Sequence, residues 1–444
     1  MSGADTIFAL STARGRSAIA VIRVSGPRAA AALAALAPQV RAQPRVAKLV
    51  RLRDPASGEA IDDALALWFP APRSETGEDV VELQVHGGRA VIAGALDALA
   101  SLPGFRPAEP GEFTKRAFLN GKVDLTAAEG LLDLIEAETA AQRRQALRQM
   151  EGGLADLYED WRARLMRALA HLEADIDFVD EDLPPDVAGA ALSGLGELAA
   201  EIRRHLADRR RGEVLREGLS VAILGAPNVG KSSLINALTR RETAIVSAIA
   251  GTTRDIVEAR LDFGGYPVLL ADTAGLREID DRSDPIEREG IRRALARAEN
   301  ADLRILVFVA GGAPDPFVTG LIGPDSVLVA NKADLLAAAP AALPTGALLV
   351  SAATGQGIAM LRSRLLAEAE ARMAAGDTPA ITRARHRSAL SECVAHLERA
   401  QTAASGELIA EDVRMAARAL GRITGRVDVE DLLDVIFREF CIGK

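Results

Sequence analysis

Cysteine is scarce in this sequence, and long apolar runs are missing from it. The two cysteines, Cys393 and Cys441, are too few for a disulfide framework and are typical of a protein from a reducing compartment. No apolar run reaches the roughly 18 residues that suggest a membrane span. The first residues also lack the basic run of a secretory or transit signal. We therefore expect a cytoplasmic protein with no membrane segment.

The composition also limits the classes of fold and partner. Aromatic residues make up 3% of the 444 residues, whereas Ala and Leu are abundant, which favours helices over all-β sandwiches. The net charge of −9 does not attract nucleic acid or an anionic membrane in bulk, so such a partner needs a locally basic face. The length suggests about three domains.

The pattern of apolar residues changes along the chain and predicts four segments. Residues 1–120 mix short strands with a helix and are predicted to form a small N-terminal α/β or α+β domain. Residues 121–216 and 376–444 are predicted to be helical, and residues 217–375 are predicted to form a parallel sheet wound with helices. We expect the two helical segments to pack together as one discontinuous domain with the α/β unit inserted. Two independent helical pieces are the alternative.

Two features of the helical segments lead to predictions of their own. Thr126 and Glu129 have the spacing of a capping box at the start of the first helical run. In the last segment arginines recur every four residues, so most of them share one face if the helix continues through them. Such a face either tracks tRNA phosphates or is merely solvated and salt-bridged. These arginines are Arg414, Arg418, Arg422 and Arg426.

The string "GAPNVGKSS" at 225–233 follows a predicted strand and precedes a predicted helix, as a P-loop does. Gly225 and Gly230 allow backbone N–H groups to turn toward phosphate oxygens without a Cβ clash. Lys231 supplies a positive charge for the β- and γ-phosphates, and the Ser232 hydroxyl suits a Mg²⁺ ligand. Because many ATPases contain such a loop, the string alone does not specify the base.

Further motifs in the same segment specify a guanine nucleotide. "AGTTRD" offers Thr253 as a second Mg²⁺ ligand, and "DTAG" offers Asp272 near the metal and the Gly275 N–H for the γ-phosphate. "NKAD" ends a later strand, and its Asp334 carboxylate accepts two hydrogen bonds from guanine that adenine cannot offer. The predicted GTP-binding residues are Asn228, Val229, Gly230, Lys231, Ser232, Ser233, Ser247, Thr252, Thr253, Asp272, Gly275, Asn331, Lys332, Asp334, Ser351 and Ala352.

Leu276 follows "DTAG" at a position where many GTPases have a glutamine that holds the attacking water. Leucine cannot hold water, and no arginine finger is evident in the sequence. The side-chain oxygen of Asn228 is suited to a monovalent cation beside the phosphates, and backbone oxygens of residues 247–253 would complete its shell. A K⁺ ion bound there would supply the charge that an arginine finger supplies elsewhere.

The acidic residues after Leu276 are the candidates for positioning the water. Glu287 is the favoured one, and Glu278 and Glu289 are the others. Each of them taken alone also fits a solvated charge on a loop or helix. The residues alone therefore leave the water-positioning group open.

Several longer strings are shared with one known family. In the G domain they are "GAPNVGKSSLINAL", "AIVSAIAGTTRDIVE", "DTAGLRE…IEREGI" and "NKAD". Outside it they are "GRSAIAVIRVSG", "TGEDVVELQVHGG", "EFTKRAFLNGKVDLTAAEGLLDLIEA" and the terminal "FCIGK". The chain thereby resembles the MnmE (TrmE) family of tRNA-modification GTPases over essentially its whole length. The G-domain strings occur in related GTPases, whereas the others are much more specific.

The resemblance implies a fold and a catalytic mode. It implies an N-terminal folate-binding and dimerising domain, a discontinuous helical domain and an inserted Ras-like domain. It also implies K⁺-stimulated GTP hydrolysis when two G domains meet, with K⁺ ligands matching Asn228, Ser247, Thr252 and the backbone of Ile249. The water-positioning glutamate matches Glu287, which with Asn228 and Lys231 makes up the implied catalytic set. The segment before "IEREG" is a few residues longer than expected, so Glu289 stays an alternative.

The resemblance also implies a one-carbon folate, a protein partner and an RNA substrate. The folate is 5-formyltetrahydrofolate in the bound state and methylene-tetrahydrofolate as donor, and the partner is an FAD-dependent MnmG-like protein in a heterotetramer. The substrate is the C5 position of the wobble uridine in certain tRNAs. Residues matching the folate site are Arg23, Glu82, Lys122 and Lys444. From the residues alone, Arg23 and Glu82 also fit an exposed cross-strand ion pair.

Two other readings concern the function as a whole and the terminal cysteine. The alternative function is a regulatory switch GTPase of ribosome assembly without folate chemistry, since such proteins share the G-domain motifs. They usually carry RNA-binding appendages such as KH domains, and no such pattern is evident here. Cys441 invites a redox or nucleophilic role, although a buried or inert cysteine is the favoured interpretation. His86, beside two glycines, fits a turn residue better than a catalyst.

Overall fold

The chain folds into two compact units. The computed structural model describes residues 5–41, 43–177, 187–239, 244–245, 258–272, 301–337, 343–374, 376, 378–427 and 430–444. The first unit comprises Met1–Leu132, Met150–Ala188 and Ala403–Lys444, and the second comprises Asp133–Gln149 and Gly189–Thr402.

The first unit contains a six-stranded sheet with the strand order β3-β4-β5-β2-β1-β6. Its strands are β1 (Thr6–Leu10), β2 (Ile19–Ser25), β3 (Lys48–Arg53), β4 (Ala60–Phe69), β5 (Val80–His86) and β6 (Phe105–Pro107). Neighbours are antiparallel except β1 and β6, which run parallel. The apolar runs at 17–26, 64–70 and 79–88, which the sequence predicts as strands, correspond to β2, β4 and β5.

The two faces of this sheet differ because the side chains of a strand alternate. Ile22 and Val24 are buried in one core with helices α1 (Ala29–Leu36) and α2 (Arg89–Ala100). Arg23 lies between them in sequence and therefore points to the opposite face. The helices thus cover one face of the sheet and leave charged side chains on the other.

Helices make up most of the two segments on either side of the second sheet. Before it are α3 (Glu112–Leu119), α4 (Leu125–Glu136), α5 (Ala140–Met150), α6 (Gly153–Asp177), α7 (Val187–Leu206) and α8 (Arg211–Glu217). At the C-terminal end are α12 (Ala384–Ala400), α13 (Gly406–Thr424) and α14 (Glu430–Arg438). Within the first unit α6 packs along α13. Among the helices of the described residues, none has the length and apolar character to cross a membrane.

The start of α4 differs from the capping-box prediction. Asp124 is the residue before the helix, and its Oδ1 accepts hydrogen bonds from the backbone N–H groups of Thr126 at 2.7 Å and Ala127 at 3.1 Å. Thr126 and Glu129 are both buried within the helix. The prediction that Thr126 caps the helix is therefore wrong, because a carboxylate two residues earlier already satisfies the first N–H groups.

The second unit contains a seven-stranded sheet with the order β13-β12-β11-β7-β10-β9-β8. Its strands are β7 (Leu219–Leu224), β8 (Ala244–Ile245), β9 (Glu258–Phe263), β10 (Tyr266–Asp272), β11 (Leu303–Val309), β12 (Ser326–Asn331) and β13 (Leu348–Leu349). Those from β13 to β10 are parallel, and β9 is antiparallel to its neighbours. The helices between these strands and at the end of the sheet are α9 (Lys231–Thr239), α10 (Pro316–Gly320) and α11 (Ile358–Met373).

The register of this sheet brings the ends of several strands together. Val309 of β11 is opposite Asn331 of β12, and Asp272 of β10 is opposite Ile223 of β7. Ligands of open parallel sheets bind beyond the carboxyl ends of the strands. The sheet therefore places the carboxyl ends of β7, β10 and β12 at one edge.

Candidate functional site

The loop between β7 and α9 has an unusual backbone. The φ angles of Gly225, Asn228 and Gly230 are +156°, +62° and +95°. A Cβ on Gly225 would lie 2.2 Å from the carbonyl oxygen of Val307, so no larger residue fits there. Left-handed residues in such a loop turn successive N–H groups toward one point, which makes an anion-binding concavity.

Lys231 is the first residue of α9 and is held by the same loop. Its Nζ donates hydrogen bonds to the carbonyl oxygens of Gly225 at 2.8 Å and Ala226 at 3.0 Å. Only 8% of the residue is exposed. Ser232 and Ser233 follow in the first turn and are exposed. The loop thus combines a buried cation, oriented N–H groups and the positive end of a helix, which is the chemistry that binds phosphates.

Asn331 joins the phosphate-binding loop to the end of β12. Its Nδ2 donates to the carbonyl oxygen of Val229 at 2.8 Å, and its Oδ1 accepts from the N–H of Ala352 at 3.1 Å. The residue is 2% exposed. A Cβ on Gly230 would lie 2.4 Å from the same Nδ2, so the glycine makes room for this contact. Asn331 therefore fixes two loops relative to each other.

Asp334 lies just beyond Asn331 and is oriented by a buried serine. The Oγ of Ser351 donates to Oδ1 of Asp334, while the Asp334 residue is exposed. Lys332, between Asn331 and Asp334, has a left-handed backbone with φ of +65°. The backbone turn exposes the carboxylate, which can accept a pair of hydrogen bonds from a ligand.

The residues present fit a guanine nucleotide with a divalent cation. Lys231 and the loop suit the phosphates, Asp334 suits the donor edge of guanine, and the Ser232 hydroxyl at the helix start suits Mg²⁺. Asn228 is exposed in the loop. Asp272 ends β10, and only its backbone is described. The other predicted residues of this site lie outside the described residues, namely Ser247, Ile249, Thr252, Thr253, Gly275, Leu276, Glu278, Glu287 and Glu289.

A second cluster lies on the face of the first sheet that α1 and α2 do not cover. Arg23 of β2 and Glu82 of β5 are direct cross-strand partners. The Nε and Nη2 atoms of Arg23 both donate to Oε1 of Glu82, at 3.1 and 2.9 Å. The two side chains are 13% and 20% exposed. This pair is therefore not the exposed ion pair that the sequence alone allows, since most of its surface is removed from water.

The other two residues predicted for this cluster, Lys122 and Lys444, lie by different segments that neighbour β2. Nζ of Lys122 donates to the carbonyl oxygen of Pro72 at 3.0 Å, in the segment that leads to β5. Lys444 follows Gly443, whose carbonyl oxygen accepts from Oγ of Ser11 at 3.0 Å. Ser11 also pairs with the strand at Val21. Val21 lies two residues from Arg23 on β2, which is about 7 Å of strand.

The C-terminal tail packs against the end of β1. Gly443 has φ of +98°, and a Cβ there would lie 2.4 Å from the carbonyl oxygen of Leu10. Cys441 is exposed, so it is wrong that the cysteine is buried, and its inertness stays a prediction. The C-terminal tail is held by contacts of its backbone atoms, so the Cys441 side chain stays exposed to solvent. Cys393 is the buried cysteine, and burial raises the pKa of its thiol to about 12.

Two of the four arginines predicted to share a face, Arg414 and Arg426, form ion pairs with the neighbouring helix α6. Arg414 forms ion pairs with Glu173 and Glu411, and Arg426 forms one with Glu159. The helix ends at Thr424, so Arg426 lies beyond it. These contacts favour the salt-bridged reading of the predicted arginine face over a phosphate-binding one.

His86 is exposed at the end of β5, where its Nδ1 lies 2.7 Å from Oδ1 of the mostly buried Asp62 side chain. It therefore takes part in a strand-end contact and not in either cluster described above. The structure places His86 on the last residue of a strand and not in a turn, and its non-catalytic role stays a prediction.

Comparison with known proteins covers almost the entire chain. A model described as the MnmE helical domain matches residues 125–441, and one described as the N-terminus of the GTP-binding protein TrmE matches residues 6–122. The chain is 60% identical over 444 residues to the tRNA modification GTPase MnmE of Parvibaculum lavamentivorans, with 99% of this chain and 100% of the relative covered. It is 58% identical over 460 residues to the protein of the same name from Rhodospirillum rubrum, with 99% of each covered.

One solved structure similar to part of the chain is the G domain of the FeoB iron transporter of T. maritima. The identity is 25%, with 34% of this chain and 97% of that chain covered, and the TM-score is 0.25. A TM-score of this size does not establish a common arrangement. The full-length relatives therefore carry the assignment.

Proposed function

The chain belongs to the MnmE family of tRNA modification GTPases, and we propose that its GTP hydrolysis is stimulated by K⁺ and drives a folate-dependent modification of tRNA. The enzyme is a GTP hydrolase that acts in tRNA modification. The finer proposal is that it acts on C5 of the wobble uridine together with an FAD-dependent MnmG-like partner. The matches at both ends of the chain favour this function over a ribosome-assembly switch.

The observation that carries the GTP-binding part of the proposal is the arrangement of Lys231, Asn331 and Asp334 around the phosphate-binding loop. Lys231 would bind the β- and γ-phosphates, and Asp334 would accept from N1–H and the 2-amino group of guanine. Asn331, Lys332, Ser351 and Ala352 would hold the base-binding loops. Ser232 and Thr253 would hold Mg²⁺, which when bound neutralises charge on the phosphates.

The source of the catalytic charge is the second part of the proposal. Leu276 occupies the position of the usual glutamine. Asn228 lies in the phosphate-binding loop with an exposed, left-handed conformation. We propose that its side-chain oxygen, with Ser247, Thr252 and the backbone of Ile249, binds K⁺ when two G domains of a homodimer meet. A cation there stabilises the charge that develops during hydrolysis.

GTP turnover is expected to be about tenfold faster in K⁺ than in Na⁺ at equal ionic strength, and to rise with protein concentration. Asn228→Ala is expected to remove the difference between the two salts. Asn236→Ala is a matched control, because Asn236 is an exposed asparagine of α9 outside the loop. Equal rates in both salts for the wild type would refute the cation mechanism.

Glu287→Ala is expected to lower turnover about a hundredfold while GTP affinity is retained, because a positioned base contributes at least that factor. The measurement is single-turnover hydrolysis beside equilibrium binding of a fluorescent GTP analogue. Glu289→Ala is the control that also tests the register. Hydrolysis at the wild-type rate by Glu287→Ala would contradict the assignment, and loss in Glu289→Ala instead would move the role by two residues.

The proposal for the remaining parts of the chain follows the family. Residues 1–120 would bind the folate through Arg23, Glu82, Lys122 and Lys444 and would dimerise. Residues 121–216 and 376–444 would form the helical domain around a G domain at residues 217–375. The match of one helical-domain model to residues 125–441, which include the P-loop, supports this insertion. The partner would join in a heterotetramer, and a cytoplasmic location remains a prediction.

A further inference from the structure

Arg23 has a second acidic neighbour that the sequence did not indicate. Its Nη1 forms an ion pair with Oε2 of Glu75, while its Nε and Nη2 hold Glu82. The Glu75 side chain is 43% exposed, compared with 13% for Arg23. Arg23 therefore contacts two carboxylates, the mostly buried Glu82 on the sheet and the more exposed Glu75 on the segment before β5.

The segment that carries Glu75 is fixed on both sides of it. The Oγ atoms of Ser25 and Thr76 lie 2.7 Å apart, and the carbonyl oxygen of Thr76 accepts from Nδ2 of Asn120 at 2.7 Å. Glu78 accepts from Oγ of Ser25 at 2.8 Å and from Nη1 of Arg116 at 3.1 Å. Because its neighbours are tied to β2 and to the region of α3, Glu75 is held close to Arg23 by the backbone.

The cluster of Arg23, Glu75 and Glu82 has a defined hydrogen-bond pattern and a net negative charge. Both hydrogen bonds from Arg23 end on Oε1 of Glu82, so its Oε2 takes neither of them. One positive and two negative groups leave one net negative charge. Such a cluster repels the carboxylates of a ligand and attracts a neutral edge of N–H donors. The ring N–H and 2-amino group of a pterin form such an edge, with the spacing that a carboxylate accepts.

We propose that Glu75 is a positioning residue of the folate site: it holds Arg23 so that Glu82 presents its free oxygen to the donor edge of the pterin. The inference rests on the proposed folate function of this sheet face. It assigns the pterin to the Arg23 cluster and leaves the glutamate end of the ligand to Lys122 and Lys444. Glu75 acts on the ligand through Arg23 and Glu82.

The test is calorimetric titration of the full chain with 5-formyltetrahydrofolate. Glu75→Gln keeps the size of the side chain and removes its charge, and it is expected to weaken binding about fivefold, the size of a typical coupling between neighbouring groups. Glu59→Gln is the matched control, because Glu59 is an exposed glutamate of the same unit, just before β4. It is expected to bind as the wild type does, and the melting temperature checks that each variant is folded.

A ligand analogue separates positioning from general damage. The 2-desamino-2-methyl analogue of the same folate lacks the amino donor that Glu82 would bind. Wild type and Glu75→Gln are expected to bind this analogue equally, because the interaction that Glu75 supports is then absent. A fivefold difference that persists with the analogue would overturn the positioning role, and so would equal affinity of both proteins for the natural folate. No binding by the wild type would remove the proposed folate site itself.

Discussion

Lys231→Met is expected to lower GTP turnover by about a hundred- to a thousandfold. This is the usual loss in rate when one preorganised, charged hydrogen-bond donor is removed. Methionine keeps most of the volume of the buried stem but cannot donate to the carbonyl oxygens of Gly225 and Ala226, which Nζ now holds at 2.8 and 3.0 Å. The loop then loses both its cation and two internal hydrogen bonds. Steady-state release of phosphate at saturating GTP measures the effect.

Lys48→Met is the control for this prediction, because Lys48 lies on β3 of the first unit and its Nζ donates only to a backbone oxygen among the described contacts. Its turnover is expected to match the wild type. The melting temperature of Lys231→Met distinguishes lost catalysis from lost folding. Turnover within threefold of the wild type in a folded Lys231→Met protein would mean that another group carries the phosphate charge.

Asp334→Asn is expected to weaken GTP binding about a hundredfold and to create affinity for xanthosine triphosphate. The carboxylate would accept from both donors of guanine, whereas an amide presents one acceptor and one donor. The amide N–H₂ would face the 2-amino group of guanine but would pair with the 2-oxo group of xanthine. Competition between the two nucleotides for a fluorescent GDP analogue measures the exchange.

The serine next to Asp334 sharpens that prediction. Oγ of Ser351 donates to Oδ1 of the carboxylate, and Ser351 is fully buried. The hydrogen bond from this fixed serine therefore orients the Asp334 side chain. Asp325→Asn is the control, because Asp325 lies just before the other end of β12 and pairs with Arg372. Retention of full GTP affinity by Asp334→Asn would exclude this residue from base recognition.

The second sheet is the part of the fold that the sequence predicts best. Strands such as β7 and β11 are buried on both faces, so they read as continuous apolar runs between turns. The apolar pattern does not predict β9, because "EARLDF" alternates charged and apolar residues over a short span. It does not predict β3 for the same reason, since "KLVRLR" has a charge at every second or third position. Alternation over so few residues is a weak signal against the surrounding loops.

In the candidate sites, the residues in short local motifs can be predicted from the sequence, whereas the contacts between distant segments cannot. The identities of Lys231 and Asp334 follow from local strings, because a phosphate loop and a base-binding turn are short stretches of backbone. The contact of Asn331 with Val229 spans 102 residues, and that of Arg23 with Glu75 joins a strand to a loop. Such contacts depend on which strands become neighbours, which the strings do not encode. The exposure of Cys441 likewise depends on how the tail meets β1.

The hydrogen bond from Asn331 to the Val229 carbonyl has a consequence for genetics. Gly230 and Asn331 share one small space, since a Cβ at the first would lie 2.4 Å from the amide nitrogen of the second. An allele of Gly230 that adds a side chain would therefore disturb base recognition as well as phosphate binding. A smaller residue at position 331 would relieve the steric clash caused by the Gly230 variant. It would nevertheless lose the amide that joins the two loops. Variants at these two positions are thus expected to be epistatic, and a mutational scan would group them although they belong to different motifs.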